Sequence, residues 1–381
     1  MKRTAKLLAL ILAAALLSGC IPHAELDEKA IILAIGIDYE EEEYSVTFQY
    51  YNPTGLGGPA PVDNTQPNVL TSSGKGMDVY EALEDASFKC GRELLLGVAQ
   101  IILIGEEAAK NSVKDVMDFS KTCFQSHPYM LVAVAEGKAE DYMQVKFSEG
   151  ISSTNKLKYL LQNAERYGMA ALPSALDLFI SLDTRQQSAC LPRLKLNEDG
   201  KSDASEDGKS VEISGGVLIK DGKAQDNEDM EVMKGLQLLS GKINETTVTF
   251  RQEGEPVTVS LMDIQQTLTP AFEDGKLIFQ VSIRCGGKYH TTPKGIGSAE
   301  DDQTRRECAE QLKKIMQTAA ESTVQKYGAD PFNLERTVRH CNYKLWEQAK
   351  DNWEELLKES VFLFDIEVEI DRMSLSVDSK K

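Results

Sequence analysis

An apolar run from Leu7 to Leu17 stops at Leu17-Ser18-Gly19-Cys20, and beyond it the chain turns acidic. Lys2, Arg3 and Lys6 precede the run, which gives the basic and apolar regions of an export signal. The run is shorter than the roughly 20 residues that a bilayer-spanning helix needs. The tetrapeptide has the order of a bacterial lipoprotein signal. It predicts cleavage after Gly19, a diacylglyceryl group on the Cys20 thiol and a freed amine open to N-acylation (palmitate or another fatty acid). At about 0.8 kcal/mol per buried methylene, one acyl chain binds a bilayer marginally and two hold a protein there. Everything beyond Cys20 is therefore expected to fold outside the cytoplasm, against a membrane.

Removing residues 1–19 from 381 leaves 362, enough for two or three domains with their own cores. The formal charge of −18 becomes −21 once the three basic residues are gone. Such a surface repels phosphate backbones, which argues against a nucleic-acid partner, and it repels anionic headgroups as well. Cys90, Cys123, Cys190, Cys285, Cys308 and Cys341 are scattered without a C-x-x-C and read as buried thiols rather than a disulfide framework. After the signal, the longest apolar run, Leu94 to Ile104, is too short to span a bilayer and reads as a buried strand over Val98–Ile104.

Periodicity predicts a mixed α/β, that is α+β, protein. A hairpin over Ala30–Asp38 and Tyr44–Tyr51 is followed by a Pro- and Gly-rich loop over 52–68. Next comes a helix with Met77, Tyr80, Leu83 and Ser87 on one face. Strands and helices then alternate through 137, with helices at 154–167 and 173–183 and a strand at Cys190–Leu196. The acidic segment Asn197–Ser210 lacks any large apolar residue and reads as a linker. The predicted divisions are a signal peptide over 1–19, an α/β domain over 20–196, the linker over 197–210 and a small α+β domain over 211–270. A C-terminal α+β domain over 271–375 and a polar tail over 376–381 complete them. The last domain carries a long helix at 300–327, a helix at 343–359 and a strand with one wet face over Val361–Ile370.

A search for chemistry returns little. His23, His127, His290 and His340 lie far apart, with no metal-binding spacing. The segment Ser72–Asp78 lacks the first Gly and the Ser or Thr of a P-loop and reads as a turn before a helix, and Asp203–Gly208 lacks the bidentate Glu of a calcium loop. No G-x-S-x-G is present, and Glu106-Glu107 and Asp301-Asp302 read as helix N-terminal charges. Trp346 and Trp353, seven apart, read as core packing in preference to a partner-facing hot spot. No catalytic residue, cofactor-binding residue, cofactor or metal ligand is predicted, and the chain is expected not to be an enzyme.

The order of several short segments carries a resemblance. Cys20, Glu25-Leu26, Ala30–Leu33 and Gly36-Ile37-Asp38 come first, followed by Gly76, Glu81-Ala82, "IILIGEEAAK", "AEGKAEDYM" and Leu191-Pro192. Then come "GGVLIKDGK", "LLSGKI", and Trp346 with Asn352-Trp353. In this order the chain resembles the Ger(x)C spore-germination lipoproteins, the C subunits of nutrient germinant receptors. The resemblance implies three domains tethered by Cys20 outside the spore inner membrane. It also implies action with an integral-membrane A subunit and a permease-like B subunit, through which a nutrient signal releases ions and dipicolinate. A solute-binding lipoprotein, with two similar α/β lobes around a cleft, and a lipid-anchored hydrolase are the alternatives.

Overall fold

The computed structural model describes residues 28–51, 69–122, 127–147, 152–185, 187–198, 205, 208–252, 254–291 and 298–370. Cys20, the signal, the 52–68 loop, most of the acidic segment and the tail lie outside the described residues.

The first sheet has nine strands. Its centre is parallel: β1 (Lys29–Glu40), β5 (Ile101–Gly105), β6 (Leu131–Ala135) and β7 (Ala189–Asn197), with short β4 (Glu93–Leu95) pairing parallel to the start of β1. β2 (Glu43–Tyr51) and β3 (Val69–Gly76) flank β1 antiparallel, and β8 (Ser210–Lys220) and β9 (Lys223–Glu228) flank β7 in the same way. β5 is buried at every position, as a parallel strand covered on both faces must be. Ile102 and Ile104 pack under α1 (Val79–Cys90), α2 (Glu106–Thr122) and α5 (Ala175–Leu182). Ile101 and Leu103 face α3 (Ala139–Gln144) and α4 (Ser153–Arg166). A register shift between Ile32 and Ala34 changes the parity of β1, so that Ile32 and Ile35 enter the same core.

The apolar run predicted as one strand divides. Leu96 to Gln100 turn between β4 and β5, leaving Val98 46% exposed. α1 also sits differently from expectation. Val79, Ala82, Leu83 and Ala86 face inward, while Met77 and Tyr80 are exposed. The cause is close approach: a Cβ on Gly74 would fall 2.2 Å from the Ala86 nitrogen, and one on Gly76 2.5 Å from the Ala82 nitrogen. Only small residues on the helix fit that distance. Ser72–Gly76 therefore belongs to an edge strand rather than a turn.

α6 (Met230–Ser240) leads into a second, four-stranded sheet, in the order β10 (Glu245–Gln252), β11 (Glu255–Glu273), β12 (Lys276–Thr291), β13 (Val361–Ile370). β12 and β13 are parallel and joined by a helical crossover. The crossover comprises α7 (Ser298–Ala319), a π-helical continuation over Ala320–Gln325, α8 (Leu334–Cys341), α9 (Tyr343–Ala349), a 3-10 turn over Lys350–Asn352 and α10 (Trp353–Lys358). The odd positions Leu277 to Cys285 point into the helices, and Arg284, Lys288 and His290 face solvent. β13 has the predicted wet face, with Asp365, Glu367 and Glu369 exposed. The helix predicted over 343–359 is broken at Lys350–Asn352, yet Trp346 and Trp353 still meet edge-on at 5.3 Å in a buried cluster.

Two predicted divisions do not coincide with the sheets. Asn197 pairs with Ser210, so the acidic segment connects the strands of one hairpin, and β8 and β9 complete the first sheet. A boundary at 270/271 would cut β11, whose pairing with β12 runs to Glu273 and Lys276. Backbone pairing on both sides of each position holds the chain in one sheet.

Candidate functional site

Three segments of the ordered resemblance converge where the parallel strands end. Gly36-Ile37-Asp38 closes β1, Gly105-Glu106 joins β5 to α2, and Glu136-Gly137-Lys138 joins β6 to α3. This is the edge at which open α/β sheets commonly hold ligands. The buried Asp38 carboxylate accepts hydrogen bonds from the Ala139 and Glu140 amides at 2.7 and 3.0 Å. Burial raises its pKa to about 6, against the lowering effect of those two bonds. Gly105 leaves the space that the carboxylate fills, since a Cβ there would stand 2.0 Å from Asp38 Oδ1. The Glu106 amide donates to the Gly137 carbonyl at 2.9 Å, and the Gly137 amide returns a bond to Glu106 Oε2 at 3.2 Å.

The surrounding charges are paired. Lys110 reaches Glu106 and Glu107 at 2.9 and 2.8 Å, Arg193 reaches Glu136 at 2.7 Å, and Lys138 reaches Glu40 at 2.7 Å. The hydrogen bond from Lys110 holds Glu106 below the usual carboxylate range. Two clefts remain, of about 150 Å³ beside Asp38 and about 100 Å³ beside Arg193. Both are well below the roughly 300 Å³ at which ligand sites begin. The edge is a joint that locks three loops together.

A larger groove of about 710 Å³ runs between α5 and the α8–α9 turn, lined by Ile180, Thr184, Glu335, Arg336, His340 and Tyr343 among others. Ahead of α8, the buried Asp330 accepts hydrogen bonds from the Leu334 and Glu335 amides at 2.6 and 2.8 Å, and burial lifts its pKa to about 6. Arg185 and Arg339 both lie within 6 Å of the Trp346 ring, which ties α5 to the C-terminal helices.

Among the described residues no group of three or more His, Cys, Asp or Glu side chains could hold a metal ion. His290 Nε2 lies 2.8 Å from Ser260 Oγ, the nearest approach to a nucleophile and base. No carboxylate bonds that histidine among the described residues, and the pair bridges adjacent strands as sheet-stabilising pairs do. Of the cysteines read as buried thiols, Cys190, Cys285 and Cys308 are free and buried, whereas Cys90 is half-buried and Cys341 exposed; burial pushes the Cys308 thiol up to about 12. The three buried thiols are inert. Cys20, the one site residue that the sequence predicts, lies outside the described residues. The chain enters the fold at Lys29, at the end of the sheet opposite Asp38. Among the described residues no helix is long and apolar enough to cross a membrane. The Asp38–Gly105 joint escaped the reading of chemistry, although the Gly-x-Asp and Gly-Glu-Glu pattern carried its signal.

Comparison with known proteins agrees with this architecture. Residues 22–196 match the spore germination protein N-terminal domain, and residues 214–374 match the spore germination B3/GerAC-like C-terminal domain. Spore germination protein KC of Bacillus subtilis (strain 168) is 25% identical, covering 91% of this chain and 89% of its own. Spore germination protein B3 of the same organism is 21% identical, over 93% and 94%. The crystal structure of the GerBC protein superposes with a TM-score of 0.54 at 19% identity, over 88% of this chain and 96% of that one, and shares its mixed α+β fold. With both domain models matched in order and relatives aligned over nearly its whole length, the chain belongs to the Ger(x)C family of spore germination proteins.

Proposed function

We propose that this protein is the non-catalytic, lipid-anchored subunit of a spore nutrient germinant receptor, required for the response to nutrients. Cys20 holds it on the outer face of the spore inner membrane, beside an integral-membrane A subunit and a permease-like B subunit. The observation that carries the reading is the ordered match to both spore germination domains. The Asp38 joint supports it, because the polar residues there are engaged in packing and pairing. The two sheets differ in strand number and in how many faces are covered, which disfavours a solute-binding protein of two similar lobes.

The test compares dipicolinate release from spores with the wild-type protein, Cys20→Ala or a deletion, in a background without redundant receptors and with matched protein levels. Cys20→Ala should lose acyl label, leave the membrane fraction and slow nutrient-triggered release, while leaving release by agents acting downstream intact. A full nutrient response in the deletion spores would overturn the reading.

A further inference from the structure

The two ends of the first sheet differ in chemistry. Where the parallel strands finish, the surface carries Glu40 to Glu43, Glu106, Glu107, Glu136 and Glu140, which outnumber Lys75, Lys110, Lys138 and Arg193 there, and the exposed Met77 stands apart from any other band. Where they begin, exposed apolar side chains form a band that follows the strand order. Phe88, near the C-terminus of α1, is 82% exposed, Val98 lies in the β4–β5 turn, and Tyr129, just before β6, is 66% exposed. Leu176 of α5 continues the band. The neighbours are fixed by backbone bonds: the Leu131 amide donates to the Gln100 carbonyl, and the Leu176 amide to the Pro128 carbonyl. Lys29, Lys89, Arg92 and His127 lie at this same end. Lys29 and Lys89 are paired with Glu93 and Asp85, whereas Arg92 Nη1 is buried without an acceptor among the described residues.

β1 starts at this end, at Lys29. Lys29 is nine positions beyond Cys20, so fully extended chain places the lipid at most about 30 Å away. The twelve residues of β1 separate this end from the acidic turn by about 40 Å. We propose that the band Phe88, Val98, Tyr129 and Leu176 is a membrane-contacting face that seats in the headgroup region. The acyl anchor and the apolar rings then fix the orientation of the protein, with the acidic end turned from the bilayer. Aromatic rings suit the boundary between headgroups and acyl chains, and repulsion of the acidic end by anionic lipid favours the same pose. This inference rests on attachment at Cys20.

The test separates the face from the lipidation. The mature chain, with a hexahistidine sequence replacing Cys20, is tethered by nickel-chelating lipid to vesicles of phosphatidylethanolamine and phosphatidylglycerol containing brominated acyl chains. Single Phe88→Trp, Tyr129→Trp and Met77→Trp variants, the last at the acidic end just after β3, are compared with the parent, whose Trp346 and Trp353 are buried and give a constant background. Emission from positions 88 and 129 should be lost to bromine quenching when the chain is tethered, and regained when imidazole releases it. Emission from position 77 should hold. Unquenched emission at 88 and 129, or equal quenching at all three positions, overturns the proposal, as does protection of this band only when integral-membrane subunits are present. Acyl labelling of Cys20 in cells is read separately, so its failure would leave the result of the tethered measurement standing.

Discussion

Gly105 carries no side chain because the Asp38 carboxylate occupies the space that a Cβ would need. Gly105→Ala should therefore destabilise the protein by about 1–3 kcal/mol through overpacking. Gly137→Ala, in open space but at φ +75°, should cost only the left-handed backbone penalty of about 1–2 kcal/mol. Urea unfolding of the two variants checks the order. Asp38 also makes a pH prediction. Its folded pKa of about 6 exceeds the ordinary 3.8, so the native state binds more protons than the unfolded chain between those values. Stability from this group thus falls as pH rises from about 4 to about 6 and stays lowered above that, by an amount on the order of 3 kcal/mol. Glu40 and Glu106, whose pKa values are lowered by lysine hydrogen bonds, act in the opposite sense. The signature is therefore a difference: Asp38→Asn should abolish that part of the slope in urea titrations between pH values of about 4 and 7. An unchanged slope would contradict the buried-acid account. The pattern of glycines and acids near Asp38 was legible in the sequence, but its meaning depends on contacts about a hundred residues apart, which no local rule supplies.

At the scale of elements, most strands and long helices follow from their periodicity, while turns and partners do not. The two-residue hairpin at Asp221-Gly222 and the stop of α6 at Gly241 are direct readings of turn and cap chemistry, with φ values of 52°, 73° and 67°. The acidic segment 197–210 has the composition of a domain linker, yet it joins paired strands, because composition reports only solvation. Limited proteolysis within 199–208 should consequently cut the chain without separating it. The two fragments should coelute in size-exclusion chromatography and part only in denaturant, because β7 and β8 remain paired. Elution as two species would restore the linker as a true division. α3, only six residues long, and α8, eight residues long and crowded with charge, escaped the sequence reading because each is too short to stand out from its neighbours, although α8 buries Leu334 and Val338 one turn apart.

At the scale of the whole molecule, α6 is the element on which the two sheets depend. Met233 on one side packs against Gly216 and Cys190 of the first sheet, and Gly235 on the other lets α7 approach, with an added Cβ meeting Ala319 at 2.5 Å. The Lys220–Glu354 and Lys326–Asp226 ion pairs, at 2.7 and 2.9 Å, bind the same halves. Gly235→Leu should push the helices apart and separate the unfolding of the two sheets, so that calorimetry shows two transitions where the wild type shows one. A single transition at the wild-type temperature would mean that the crossing carries no coupling. The parallel pairing of β12 with β13 has a kinetic consequence. The partner strand of β12 arrives only after the whole crossover from Thr291 to Val361, so a chain emerging N-terminus first presents β12 with a bare edge for that entire interval. Phe279 and Val281 meanwhile lack both the helices and the strand that later enclose them. Until that strand arrives, the sheet's unpaired edge is its most aggregation-exposed element.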